Sequence, residues 1–444
     1  MPRILFKNAL LVTMNPEKEV INSDLLVEDT AIRAIGSDLG AVEQIIDATG
    51  KVMIPGLIQP HVHLCQTLFR GQADDLELLD WLRKRIWPLE GAHDADSIYI
   101  SACLGIGELF RGGTTSIVDM ETVNYTGSAL QAIVETGIRA ISGKVMMDWG
   151  EGVPPTLMED TGKSLQESVD LLEKWHQAGN GRLHYAFSPR FVISCTPRLL
   201  REVRNLAEQY RVKVHTHAAE NQGEIALVEK ERQMRNVVYL DRLGLTGENL
   251  ILAHCIWLDD EEMRILAQTG TNVVHCPSSN LKLGSGIAPI TDMLKSGINV
   301  SLGADGAPCN NNLDPFMEMR LASLIQKPLH GPTALPAYQV FYMATRGGAR
   351  AMGLEKDIGS LEVGKKADIV LLDLNKIHCS PYEGSNIYSQ LVYQAHAADV
   401  VFTMVDGQIV YENGRLTTIN EIEIQQAAEQ AIKRVRARAG LADS

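Results

Sequence analysis

No two cysteines in this 444-residue chain are spaced C-x-x-C, and the seven present are odd in number and irregularly placed. A disulfide scaffold and a structural zinc knuckle are therefore not expected, and reduced thiols of a cytosolic protein fit better. Positive charge is also in deficit, with 41 Lys and Arg against 55 Asp and Glu and a net charge of -14. Phosphate binding needs clustered cations, so nucleic acid is not an expected partner. No uncharged apolar run reaches the length of a membrane span. The Met-Pro-Arg-Ile-Leu-Phe-Lys start lacks the apolar core and small-residue cleavage site of a signal peptide. No lipidation motif is present. The expectation is a cytoplasmic protein with no membrane partner.

The chain does hold a sizeable core, since 45% of its residues are hydrophobic. Its length suits a large α/β barrel with a satellite domain. Short strand-like runs fill residues 1–55 and return after 358. Between them, apolar runs alternate with helix-length stretches such as Ser97–Arg111, Ser164–Ala178 and Pro197–Tyr210. Eight runs read as strands: Leu57–His63, Thr115–Asp119, Arg139–Val145, Leu183–Phe187, Lys213–His217, Leu250–His254, Asn272–His275 and Asn299–Gly303. Eight β/α repeats predict a TIM-type (β/α)8 barrel over residues 56–357. Residues 1–55 and 358–415 are assigned to one small β-sandwich domain built from both chain ends, and 416–444 to a helical tail.

The placement of the twelve histidines carries the functional signal. His61 and His63 are two apart at a strand end, so both imidazoles face one side of the strand. His217, His254, His275 and Asp305 end or follow later strands, the positions where a barrel of this type gathers its functional residues. An ionisable residue closing an apolar strand is costly unless paired or metal-bound. Three imidazoles and a carboxylate suit one divalent ion, Zn²⁺ first and Fe²⁺ second. His61, His63, His217 and Asp305 are the expected ligands. His215 shares a strand face with His217 and is its rival. His217 is preferred because Glu220 lies three residues beyond it, where a carboxylate can move a proton from an attacking water to a substrate nitrogen.

These stretches together carry a resemblance. Pro-Gly-Leu-Ile-Gln-Pro-His-Val-His (55–63), His-Thr-His-Ala-Ala-Glu (215–220), Leu-Ala-His-Cys (252–255), Val-His-Cys-Pro-Ser-Ser-Asn (274–280), Leu-Gly-Ala-Asp-Gly (302–306) and Gly-Lys-Lys-Ala-Asp-Ile-Val-Leu-Leu-Asp (364–373) resemble the amidohydrolase superfamily. More narrowly, they are similar to the branch of methylthioadenosine/S-adenosylhomocysteine, 5′-deoxyadenosine and guanine deaminases and of triazine hydrolases. The resemblance implies that His61, His63, His217 and Asp305 bind metal and that Glu220 and Asp305 handle protons. It places His254 at the attacking water, and His275 at the barrel mouth as a support or a substrate contact. Strand four, Arg-Leu-His-Tyr-Ala-Phe-Ser-Pro, lacks the lysine that two-metal relatives carboxylate, so one ion is expected. The H-x-E and P-C-x-x-C motifs of the other zinc deaminases are absent.

For substrate, two sets of residues point to different purines. Trp81 and Glu90 follow the first metal motif at a spacing resembling nucleoside deaminases, where the matching glutamate holds ribose hydroxyls and the indole can stack. Gln66, Lys144 and Arg190 resemble guanine deaminases, where a glutamine and an arginine read the purine edge. The nucleoside side extends over more residues, and the expected reaction is hydrolytic deamination of a 5′-modified adenosine. Alternatives are a guanine-type base, an s-triazine, or a metal-free binding or assembly protein on the same fold. A homo-oligomer, dimer or tetramer, is expected.

Overall fold

In the computed structural model, residues 3–40, 42–382 and 384–441 are described. The strands near the N-terminus are β1 Ile4–Val12, β2 Val20–Glu28, β3 Ala31–Gly36, β4 Gln44–Asp47 and β5 Val52–Pro55. They are followed by β6 Leu57–His63, β7 Thr114–Met120, β8 Arg139–Gly143, β9 Val145–Met146 and β10 Leu183–Pro189. Next come β11 Lys213–Ala218, β12 Leu250–His254, β13 Asn272–His275, β14 Val300–Leu302 and β15 Asp305–Gly306. The last are β16 Ile369–Leu372, β17 Val400–Val405, β18 Gln408–Glu412 and β19 Arg415–Leu416.

β6, β7, β8 and β10 to β14 neighbour one another in sequence order, all parallel, with helices between them. β15 continues β14 after Gly303 and Ala304 and pairs with β6, setting Asp305 beside Val62 and Gly306 beside His63. The ring therefore closes on its first strand, as a TIM-type barrel does. Parallel strands covered on both faces read as continuous apolar runs. Every residue of β6, β7, β8 and β12 is buried.

Two of the expected barrel strands differ in detail. The run Arg139–Val145 breaks at Lys144, whose side chain is drawn into a buried ion pair, so β9 is a separate short segment. The eighth strand runs on to Gly306 but is interrupted at Gly303, where a Cβ would stand 2.7 Å from the His61 carbonyl oxygen. Only glycine allows β14 and β6 to approach so closely at the level of the first metal-motif histidine.

The two chain ends form one mixed sheet in the order β19-β18-β17-β16-β5-β1-β2-β3, with β4 beside β1. The junction is the antiparallel pair β16–β5, with Ile369 opposite Pro55. Phe6 of β1 and Phe402 of β17 meet edge to face at 5.4 Å although two strands lie between them in the sheet. At about 4.8 Å per strand step, a flat sheet would hold them much farther apart, so it curls around its own core of Leu11, Leu25, Val27, Met53 and Ile369. Barrel and sheet meet at a buried charge cluster. Arg139 of β8 reaches Asp368 through Nε at 2.9 Å and Asp406 through a terminal nitrogen at 3.3 Å. Helix Glu421–Arg438 lies on helix Ala95–Arg111, tied by Arg111 to Glu421 at 2.7 Å and by Arg434 to Asp96 at 2.5 Å. Among the described residues no helix is long and apolar enough to cross a membrane.

Candidate active site

The C-terminal ends of the barrel strands bring six ionisable side chains to one point. His61 and His63 close β6, His217 stands next to the end of β11, His254 closes β12, Asp305 opens β15, and Glu220 follows β11. One nitrogen each of His61, His63 and His217 lie within 4.8 Å of one another, and His61, His254 and Asp305 form a second such group. Asp305 Oδ1 is 3.3 Å from His61 Nε2 and 3.2 Å from His63 Nε2. His217 Nε2 is 3.4 Å from His63 Nε2.

The far sides of the rings are fixed by hydrogen bonds, which orients the near sides. His63 Nδ1 donates to the Met120 carbonyl at 2.7 Å, and His217 Nδ1 to the Arg190 carbonyl at 2.8 Å. Both Nε2 atoms are then bare lone pairs aimed at the cluster. His61 Nδ1 is 2.9 Å from His215 Nε2, while His61 Nε2 is buried with no hydrogen-bond partner. An orphaned buried nitrogen facing two other bare imidazoles and a carboxylate is what a divalent ion would satisfy. His215, the rival for the third imidazole, has its Nε2 turned to His61 instead.

Electrostatics agree with that reading. Burial holds His61 down at about 4 and His217 well below its ordinary value, so both are neutral, as ligands must be. Burial would raise Asp305, but the facing His61 and His63 outweigh it and hold the carboxylate ionised. Burial, with Asp305 and Glu224 nearby, pushes Glu220 well above the usual carboxylate range. His254 and Asp305 also have left-handed backbone, with φ of 72° and 64°. Non-glycine residues hold such angles only where packing over-determines them, and functional sites are where they collect.

Two residues that the sequence reading did not single out anchor this centre. Asn280 Oδ1 accepts from His254 Nδ1 at 2.9 Å, and Ser279 Oγ donates to Asp305 Oδ2 at 2.6 Å. Both lie in the first turn after β13, in the stretch 274–280 quoted above, and a polar pair opening a helix at a barrel strand end was the available signal.

The cavity beside the cluster is walled by His63, Gln66, Leu78, Trp81, Leu82 and Arg190, and by Phe191, His217, Glu220, His254, Leu283 and Asp305. Leu78, Leu82, Phe191 and Leu283 had no sequence signal, since an apolar wall reads like an apolar core. Their volume leaves about 10 Å³, room for about one water. A larger cleft of about 840 Å³ lies on the small sheet, lined by Lys7, Asn8, Asp24 and Asp38 among others, with no histidine in its walls.

The expected substrate contacts divide. Gln66, Trp81 and Arg190 line the cavity. Glu90 stands behind them, 1% exposed, with its carboxylate gripped by Arg190 (one contact of 3.1 Å) and by Gln66 Nε2 at 2.8 Å. Lys144 is not brought to the cavity wall: its ammonium bonds Glu159 and the Val123 carbonyl, each at 2.6 Å. His275, expected as a support or a substrate contact, is also not in the wall. It is fully buried off the wall, neither ring nitrogen has a hydrogen-bond partner, and burial lowers it to about 3.

Comparison with known proteins gives the class. The amidohydrolase family model matches residues 52–410, and the chain belongs to that family. Among its relatives, a 5′-deoxyadenosine deaminase of Methanobrevibacter smithii is 40% identical over 98% of this chain and 98% of its own. A 5-methylthioadenosine/S-adenosylhomocysteine deaminase of Moorella thermoacetica is 37% identical over 96% of this chain and 97% of its own. An adenosine deaminase from Xanthomonas campestris, solved with bound zinc, superposes with a TM-score of 0.91 at 31% identity, covering 98% of both chains.

Proposed function

We propose that the chain is a hydrolytic deaminase of 5′-modified adenosines, with 5′-deoxyadenosine, methylthioadenosine and S-adenosylhomocysteine as candidate substrates, and that it works with one divalent metal ion. The observation that carries this reading is the convergence of three bare imidazoles and Asp305 beside His254 and Glu220, in a chain 40% identical to a 5′-deoxyadenosine deaminase. His61, His63, His217 and Asp305 would hold the ion, zinc before iron on the chemistry of the donors. When bound, such an ion supplies an acidified water at neutral pH.

The side chains supply the rest. Glu220 accepts a proton from the attacking water and delivers it to the ring nitrogen next to the carbon that bears the amino group. Asp305 accepts the second proton and passes it to the amino group, which leaves as ammonia. His254 Nδ1 donates to Asn280, so Nε2 of the neutral ring is left as an acceptor that orients the attacking water. Water adds, ammonia leaves, and the amino-bearing carbon becomes a carbonyl carbon. Leu78, Trp81, Leu82, Phe191 and Leu283 keep bulk water out.

A cavity of about 10 Å³ cannot take a nucleoside, so its wall opens for entry. The moving part is the segment Leu78–Glu90, two single α-turns joined by a widened π-turn over Leu82–Ile86. Pro88, just after that turn, lacks the N–H that would tighten it. Displacement of the segment's first part, Leu78–Ile86, uncovers Glu90 for the ribose. Gln66 and Arg190 are bonded to Glu90, and the likeness to a 5′-deoxyadenosine deaminase over nearly the whole chain favours the nucleoside over a guanine-type base.

His63→Ala and Asp305→Ala test the reading, with metal content and ammonia release measured on the same sample. Both should fall together, and stripped wild-type protein should recover full activity at one equivalent of Zn²⁺. Full deamination by thoroughly stripped protein would overturn it.

A further inference from the structure

A second group of ligand-type side chains lies outside the barrel mouth, where the segment after β16 meets the start of β17. One ring nitrogen of His378, Cys379 Sγ and a carboxylate oxygen of Asp399 lie within 4.8 Å of one another. The His396 ring centroid is 5.1 Å from that of His378. We propose that His378, Cys379 and Asp399 form a separate zinc-type cation site that clips the Ile377–Cys379 turn to the chain just before β17, with water or a rotated His396 in the fourth place.

The donor chemistry selects the ion. Thiolate, imidazole and carboxylate together suit a borderline-soft tetrahedral ion such as Zn²⁺ and not Mg²⁺ or Ca²⁺, which take oxygen. The short turn Ile377–Cys379 brings two successive side chains to one side of Asp399. The carboxylate is preset for the task. Lys376 Nζ holds Oδ1 at 2.8 Å, and the backbone N–H of His396 donates to Oδ2 at 2.9 Å. Such outer bonds orient a ligating carboxylate, and they leave Oδ2 facing His378 Nε2, 2.9 Å away. Without an ion, that contact is an ordinary hydrogen bond. With one, the imidazole gives up its Nε2 proton and both atoms turn to the metal.

Cys379 is the decisive member. It is buried, and its thiol has no hydrogen bond among the described residues, while all seven cysteines are free. Burial and Asp399 push the thiol up, and Lys376 pulls it down. A bound cation would convert it to thiolate outright, with loss of one proton per ion. The partly exposed His378, with 38% of its side chain accessible, gives the ion a way in.

The test uses stripped enzyme given one equivalent of Zn²⁺, the amount that restores full activity and so fills the barrel centre, and then titrated with Co²⁺, read by absorbance. The barrel centre has no sulfur ligand, so a sulfur-to-cobalt band reports a cysteine site alone. The expected result is a band that saturates at one added ion per chain, is lost in Cys379→Ser, and needs at least about tenfold more Co²⁺ in His378→Ala. Deamination rates should be unchanged in both variants, which separates failure here from failure of the deaminase reading. Should Cys379→Ser not fold, protection of one thiol from a thiol reagent by added Zn²⁺ in wild type, absent in His378→Ala, carries the same test. No sulfur band at one equivalent, or a band that survives in Cys379→Ser, overturns the proposal.

Discussion

Replacing Glu220 with glutamine changes one atom and removes one function. The side chain is 2% exposed, and its Oε2 lies 3.4 Å from His254 Nε2. Glutamine fills the same volume but cannot carry a proton from water to a ring nitrogen. General acid–base help is worth about 10²- to 10⁴-fold. The lower end applies here, because Asp305 Oδ2 also faces His254 Nε2, at 3.9 Å, and remains as a proton acceptor. The expected fall in kcat is about 100-fold, or about 2.7 kcal/mol at 1.36 kcal/mol per tenfold. Metal content should not change, since Glu220 is outside the ligand set. The urea midpoint should hold or rise, because Glu220 is buried near Asp305 and Glu224 and its loss relieves like-charge crowding. Steady-state ammonia release, metal analysis and a urea titration on one preparation decide the matter. Full activity would refute the proton-shuttle role, and joint loss of metal and activity would move Glu220 into the ligand set.

Substitutions at Glu90, Asn280 and Glu318 test other parts of the protein. Glu90→Ala should raise KM for a nucleoside about tenfold, the scale of a lost charged hydrogen bond, and leave KM for a free base nearly unchanged in parallel kinetics. Asn280→Ala should lower kcat about tenfold with KM little changed, whereas Asn280→Asp keeps an acceptor for His254 Nδ1 and should stay within a few-fold of wild type. Glu318 is buried and raised by that burial from 4.5 to about 7. Its folded form binds the proton more tightly, so its contribution to stability is full below about 4.5 and is lost as pH rises through 7. Glu318→Gln should therefore flatten the fall in urea midpoint between pH 5 and 8, removing up to about 3 kcal/mol of pH dependence. An unchanged slope would contradict it.

The barrel was legible because its strands are buried on both faces and because glycine and polar segments punctuate them. Strand-end histidines stood out for a thermodynamic reason: an imidazole at the end of Leu250–Ala253 or Asn272–Val274 needs a partner or a purpose. His275 shows the limit of that reasoning, since burial in a neutral form served as well as a contact. Lys144 shows another. Lys144 was named through its likeness to guanine deaminases, and no strand period marks Glu159, 15 residues on, as the partner that holds its ammonium. Glu90, Arg190 and Gln66 were each reached through resemblance to nucleoside or guanine deaminases. Their mutual bonding was not, because it depends on how the segment Leu78–Glu90 folds over the barrel. The curl of the small sheet was hidden for a similar reason: β5 and β16 carry no mark that they pair across more than three hundred residues.

The most direct test of the central claim is ammonia release by the zinc-loaded protein from 5′-deoxyadenosine, methylthioadenosine, S-adenosylhomocysteine and guanine, with a stripped control. Fast, metal-dependent release from at least one adenosine derivative, with little from guanine, is the predicted result. Turnover of guanine with none of any adenosine derivative would contradict the nucleoside assignment, and release that survives metal removal would contradict the chemistry assigned to His61, His63, His217 and Asp305.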